Sequence, residues 1–197
     1  EPVELILNGS YEGLYFMVES MKIDSKRLDI FEQEDLCEDP ELITGGWLVE
    51  IDNYDDPAQI SIPETGNIKL RVTYKTPEEL SEKQENYLIE QFTAMNTAIY
   101  SGDLTGKAWA EYIDPNSVAR YFIIREIMHD TDGYNGSFYL HKDLGDNEKW
   151  HFGPLWDVCY GGSKNDWIMN DHPSYSQVHW IGALFETEAF RTALIEE

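Results

Sequence analysis

The chain has 197 residues, 42% of them hydrophobic and 13% aromatic, which is enough to bury one real core and too apolar for a disordered polymer. Its 38 acidic against 14 basic side chains give a formal charge of −24, which repels phosphate backbones and anionic lipid and argues against nucleic-acid or membrane-surface binding. No stretch approaches the roughly 18 apolar residues of a membrane span. The two cysteines, Cys37 and Cys159, lack metal-ligand spacing and leave room for one disulfide at most.

"VELILNGSYEGLYFMVES" alternates in strand fashion on both sides of Asn8-Gly9, a strong hairpin signal. "RLDIFEQ", "GGWLVEIDNY" and "IKLRVTY" read as further strands, and the acidic "EDLCEDPELIT" reads as a loop between the first two. Thr76-Pro77-Glu78-Glu79 then offers an N-cap, a proline at the first helical position and two carboxylates near the positive end of the helix dipole. The spacing of Leu88, Phe92, Met95 and Ile99 predicts a long helix that ends at Ser101-Gly102.

Asp114-Pro115 repeats the start signal for "PNSVARYFIIREIMHD", whose Tyr121, Phe122, Ile123 and Ile124 leave little polar face and predict the central buried helix, stopped at Gly133. Inside it, Glu126 is expected to be satisfied by Arg125 or Arg120. "DGYNGSFYLHKD" and "KWHFGPLWDV" read as a hairpin joined by "LGDNE", followed by a loop with Asp166, Asp171 and Pro173 and a closing helix from about Val178. Trp47, Trp109, Trp150, Trp156, Trp167 and Trp180 are expected mostly in the core, with Trp167 and Trp180 as candidates to line a glycan or peptide groove. His151 and His172 have no paired spacing for a metal.

The order of strands, helices, hairpin and helix predicts an α+β fold in a single domain over 1–197. Residues 1–75 are read as mainly strands and 76–197 as mainly helices, with the hairpin near 136–156. The strand-like opening and the helical pattern at the other end predict a piece of a longer protein.

The densest polar constellation is "HDTDGYNGSFYLHKD", at the end of the central helix. If the hairpin folds back, its carboxylates converge with Asp157, which the apolar run "HFGPLWDV" delivers into a turn built on Gly161-Gly162. A buried carboxylate needs a hydrogen-bonded partner, a counter-charge or a metal. Two or three oxygens at a strand end suit magnesium, which keeps several waters and takes few protein ligands. Protein-kinase chemistry uses a related layout, in which one aspartate orients the acceptor hydroxyl, an Asn five residues on assists the metal, and a second aspartate after a hairpin grips it. Asp132 and Asp157 stand at those places, with Ser137 at the Asn position and Asn135 two residues before it. Asp132 as a plain turn residue and Asp157 as a turn cap account for the same letters.

Four stretches, "LILNGSYEGLYFMVESMKIDSKRLDI", "TGGWLVEIDNYD", "YIDPNSVARYFIIREIMHDTDGYNGSFYLHKD" and "WHFGPLWDVCYGG", resemble the CotH kinase family of atypical protein kinases, in its order and spacing, and in particular its gut-bacterial secreted type. The resemblance implies a reduced kinase-like fold, ATP and magnesium as cofactors, phosphorylation of Ser or Thr on a protein, and an extracellular or cell-surface location. It implies Asp132 as the catalytic aspartate and Asp157 as a metal ligand, with Ser137 and Asn135 at the metal-assisting positions. Glu19, Lys22 and Arg27 match its charged stretch on the nucleotide side. The chain departs from the family pattern at Cys159, where a second aspartate is usual, and at His129, where Asn usually opens the turn. Two readings therefore stand, a metal-dependent protein kinase and an impaired pseudokinase or binding module of a larger surface protein. A glycosidase reading would need two carboxylates across a sugar cleft.

Overall fold

The computed structural model describes residues 1–52, 54–63, 70–130, 132–134, 136–145, 147–158 and 180–197, and for Asp132 the backbone alone. The fold is α+β with antiparallel sheets, as expected. Strands β1 (Pro2–Leu7) and β2 (Ser10–Phe16) form the first hairpin around Asn8 and Gly9, both at positive φ, as the tight hairpin turn requires. This two-stranded sheet leaves Ile6, Leu14 and Phe16 exposed.

A second sheet of five strands, all antiparallel, has the order β4-β5-β3-β6-β7, where β3 is Trp47–Ile51, β4 Gln59–Ser61, β5 Arg71–Thr76, β6 Phe138–Lys142 and β7 His151–Phe152. The two-residue period of its strands divides it into two faces. Trp47, Val49, Ile51, Val72, Phe138, Leu140 and Phe152 enter the main core, against α1 (Glu82–Ile99), α3 (Pro115–Ile127), α4 (Ile181–Phe185) and α5 (Glu188–Glu196). A further, short helix, α2 (Lys107–Ala110), brings Trp109 to the same core. Leu48 and Tyr139 point the other way, into a smaller cluster with Ile23, Met21, Leu28, Ile30 and Trp156.

Three of the expected elements are corrected. "RLDIFEQ" is not a strand; it makes a single bridge, Ile23 to Leu28, and extends along the second face of the sheet. The long helix starts at Glu82, because Thr76 belongs to β5 opposite Leu48 while Ser81 and Gln84 form a complete capping box. The closing helix is two helices, α4 and α5, the second capped by Thr187. Trp180 is fully buried and donates from Nε1 to Asn96 Oδ1 at 2.9 Å, so it is a core anchor and lines no groove. Trp47, Trp109 and Trp150 are likewise buried, whereas Trp167 and His172, with the loop of Asp166, Asp171 and Pro173, lie outside the described residues. Cys37 carries a free thiol, and Cys159 is also outside the described residues.

The start of α1 ties the acidic loop to the helix. Ser81 Oγ accepts from the Gln84 amide at 3.2 Å and donates to the Cys37 carbonyl at 2.6 Å, and Gln84 Oε1 takes the Ser81 amide at 2.8 Å. Ser81→Ala removes both hydroxyl bonds and is expected to cost about 1–2 kcal/mol, read as a lower urea midpoint with an unchanged slope.

Candidate functional site

The site begins with the way α3 stops. Asp114 caps the helix through its carboxylate, 2.6 Å from the Ser117 amide, and Pro115 takes the first helical position, as predicted. The far end is not set by Gly133. His129 sits at φ 52, its amide bonded to Glu126 O at 3.0 Å, while the Asp130 amide reaches Arg125 O at 2.8 Å. That pair of bonds is a Schellman ending, with His129 in the left-handed place that glycine or asparagine usually fills. The reversal turns Asp130 back along the helix, where its buried carboxylate forms an ion pair with the fully buried Arg125.

Arg125 then spans the site. Its Nη2 donates to the Tyr121 hydroxyl at 2.8 Å and to the Trp156 carbonyl at 3.0 Å. The Tyr121 hydroxyl in turn donates to the Gly133 carbonyl at 2.6 Å. Burial pushes the Tyr121 phenol up to about 12, so it stays protonated and able to donate. Burial pulls the guanidinium down, but Tyr121 and Asp130 outweigh it and the net shift is upward, which keeps Arg125 charged. The guanidinium packs so closely over Gly133 that a Cβ there would collide with it. The residue after Asp132 and the residue before Asp157 are thus held by one side chain and its phenol neighbour.

Asp132 opens a short 3₁₀ turn, Asp132–Tyr134. Asp157 is exposed and left-handed, at φ 48, a conformation that aspartate tolerates better than most residues. Ser137 is half-buried at φ 49, just before β6, and Asn135 lies outside the described residues. The Gly153 amide bonds to Tyr139 O at 2.8 Å, so the chain from β7 towards Asp157 runs alongside the start of β6, where Ser137 enters. Arg120 pairs with Glu197 at 3.4 Å, and Arg125 is committed to Asp130, whereas both had been candidates to partner Glu126.

Glu19, Lys22 and Arg27 occupy the exposed loop after β2. Arg27 pairs with Glu19, and Lys22 reaches Asp24 at 3.2 Å. The adjacent Met21, Leu28 and Ile30 pack in the cluster that contains Trp156, so this loop borders the segment leading to Asp157. A cation that sequence reasoning overlooked lies on the same sheet face. Lys75 binds the buried Glu50 at 2.9 Å, with Asp56 at 3.7 Å, and Glu50 stands beside Tyr139 in the ladder. Burial, and next the Glu50 carboxylate, push the Tyr139 phenol well up. The sequence showed only a glutamate inside the otherwise apolar β3, and its pairing with Lys75 depends on how β3 and β5 meet.

A family model described as CotH kinase protein matches residues 1–197. The chain belongs to the CotH family. No curated protein and no solved structure matches it. Membership suggests atypical protein kinase activity with ATP and a divalent metal. Among the described residues no group of three or more His, Cys, Asp or Glu side chains forms a cage for a metal ion. The exposed Asp157 carboxylate, with Ser137 at the start of β6, fits the other arrangement, a magnesium ion that takes one or two carboxylates and its remaining ligands from phosphates and water. Among the described residues no helix is long and apolar enough to cross a membrane.

His141 anchors the same segment from β6. Its Nδ1 lies 2.9 Å from Gly153 O, its ring stacks on His151 at 5.3 Å, and both line a groove of about 350 Å³ with Arg120 and Leu155. Burial lowers its pKa from 6.5, with His151 adding to that and the Gly153 bond and Asp143 opposing it. The folded protein therefore binds fewer protons than the unfolded chain just below pH 6.5. Stability is expected to fall as pH drops from 6.5 towards the lower folded value, and His141→Asn, which never titrates, should flatten melting temperature against pH in that window. Gly133→Ala is expected to cost about 1–3 kcal/mol by forcing a methyl into the guanidinium, measured by denaturant unfolding.

Proposed function

We propose that this protein transfers a phosphoryl group from magnesium-bound ATP to Ser or Thr of a protein, in a reduced kinase-like domain over 1–197 that works outside the cell or at its surface. The anchoring of both aspartate-bearing turns on Arg125 carries the reading, because the chemistry needs two carboxylates at a fixed mutual position. The Asp132 carboxylate would orient the acceptor hydroxyl and take its proton as the oxygen attacks the γ-phosphorus, while the bond from that phosphorus to the bridging oxygen breaks and ADP leaves with the electron pair. Asp157, with help from Ser137 and Asn135, holds the metal. Bound ATP would supply the phosphoryl group, and its magnesium ion would neutralise charge on the phosphates.

On the nucleotide side, Lys22, Arg27 and Lys75 are the cations at hand, with Glu19 and Glu50 orienting the last two. A second reading, an impaired pseudokinase or binding module of a larger protein, is supported by Cys159 at the position where the family pattern has a second aspartate.

A thermal-shift titration tests both, since a ligand that binds the native state raises its apparent stability. ATP with magnesium should stabilise the full-length protein. Asp157→Asn should abolish the magnesium dependence of that shift, and Asp132→Asn should leave the shift and remove label transfer to Ser or Thr. No shift at millimolar nucleotide sinks the kinase reading, and a shift without transfer selects the pseudokinase.

A further inference from the structure

We infer that Arg125 is a positioning residue that sets the separation of the Asp132 and Asp157 turns, with the Tyr121 hydroxyl as its relay; the catalytic part of this rests on the kinase reading above. The two turns lie far apart in sequence and come from different elements, one closing α3 and the other following β7. The structure joins them through four polar links. Asp130 clamps one edge of the guanidinium, and Nη2 divides between the Trp156 carbonyl at 3.0 Å and the Tyr121 hydroxyl at 2.8 Å. Tyr121 carries the connection on to the Gly133 carbonyl at 2.6 Å. The accepting groups at Trp156 and Gly133 are backbone atoms, each adjacent to a proposed site aspartate, so a shift of the guanidinium moves main chain.

Arginine suits this place and lysine does not. Three of the links leave the two terminal nitrogens of a rigid fork, whereas an ammonium is a single point that reaches one or two acceptors. Gly133 fits the same account, since the guanidinium lies where any side chain would begin. A full charge in a site with no exposure costs several kcal/mol unless it is well partnered, which is a heavy requirement for a group with a packing role alone; among the described residues Nη1 and Nη2 find partners while Nε finds none.

Arg125→Lys keeps the charge and loses the fork, and Tyr121→Phe keeps the ring and loses only the relay, so at least the second should fold. Steady-state kinetics on the full chain should show kcat down about tenfold or more for Arg125→Lys, and less for Tyr121→Phe. KM for ATP should stay within about threefold, because neither residue is placed against the nucleotide. Hydrogen exchange supplies a readout independent of activity. In both variants the amides of 132–134 and 155–158 should lose protection together while those of α1 and β3 keep theirs. A lower melting temperature with unchanged kcat per folded molecule, or loss of protection in only one segment, overturns the inference. A wild-type chain that transfers no phosphate overturns the kinase reading and the catalytic half of this one, and joint loss of protection would then still support the bridge.

Discussion

One buried guanidinium organises the part of this protein where chemistry can occur. Arg125 has no solvent exposure, and its charge is tolerable only because Asp130, Tyr121 and the Trp156 carbonyl surround it. Each partner is supplied by a separate feature of the chain. Asp130 arrives through the Schellman ending of α3, Tyr121 lies one helical turn before Arg125, and Trp156 comes from the segment after β7. Removing any one leaves a buried charge short of a partner, so helix, turn and hairpin must form together.

The five-stranded sheet makes that convergence geometrically available. Because β3 and β6 are antiparallel with Ile51 opposite Phe138, the end of β3 and the start of β6 lie at one end of the sheet. The chain leaving β7 passes the same end, held by the Gly153 amide on Tyr139 O and by His141 on Gly153 O. Main-chain pairing thus brings Ser137 and the segment leading to Asp157 to one end of the sheet, and the Asp132 turn is tied to that segment through Tyr121 and Arg125. The core on the other face, with Phe92, Phe122 and Trp180 among its buried rings, supplies the rigidity that such a site needs.

What could be read from the sequence was what depends on near neighbours. Asn8-Gly9 gave its hairpin, Asp114-Pro115 its helix, and the alternation in β3 and β6 their place in a sheet. Errors arose where a distant partner decided the outcome. Thr76-Pro77 looked like a helix start until Thr76 was claimed by the ladder with Leu48, and "RLDIFEQ" had strand composition with no strand to pair with. For the proposed site, the letters drew attention to Asp132 and Asp157 as candidates, because carboxylates in turns stand out against an apolar background. Arg125 was misassigned, since spacing along a helix suggested Glu126 as its partner and gave no sign that the chain would reverse at His129 and bring Asp130 back. Lys75 and Glu50 were missed for the same reason, their pairing being a property of the ladder between β3 and β5.

The charge of −24 bears on which cation meets a nucleotide. Salt screens charges beyond about 8 Å at physiological ionic strength, so the total matters less than the immediate neighbours. Among the described residues Lys22, Arg27 and Lys75 are each already paired with a carboxylate, yet the pairs differ in what it costs to open them. Lys22 with Asp24, and Arg27 with the exposed Glu19, are surface pairs of the kind worth little, and a phosphate can take over either cation at small cost. Lys75 is different, because leaving Glu50 would strand a buried carboxylate. A phosphate at Lys75 must therefore add to the Glu50 pair without replacing it, using the ammonium's remaining donors, while phosphates at Lys22 or Arg27 displace a carboxylate into water. Substitution of Lys75 is accordingly expected to damage both the fold and nucleotide binding, and substitution of Lys22 or Arg27 to affect binding alone.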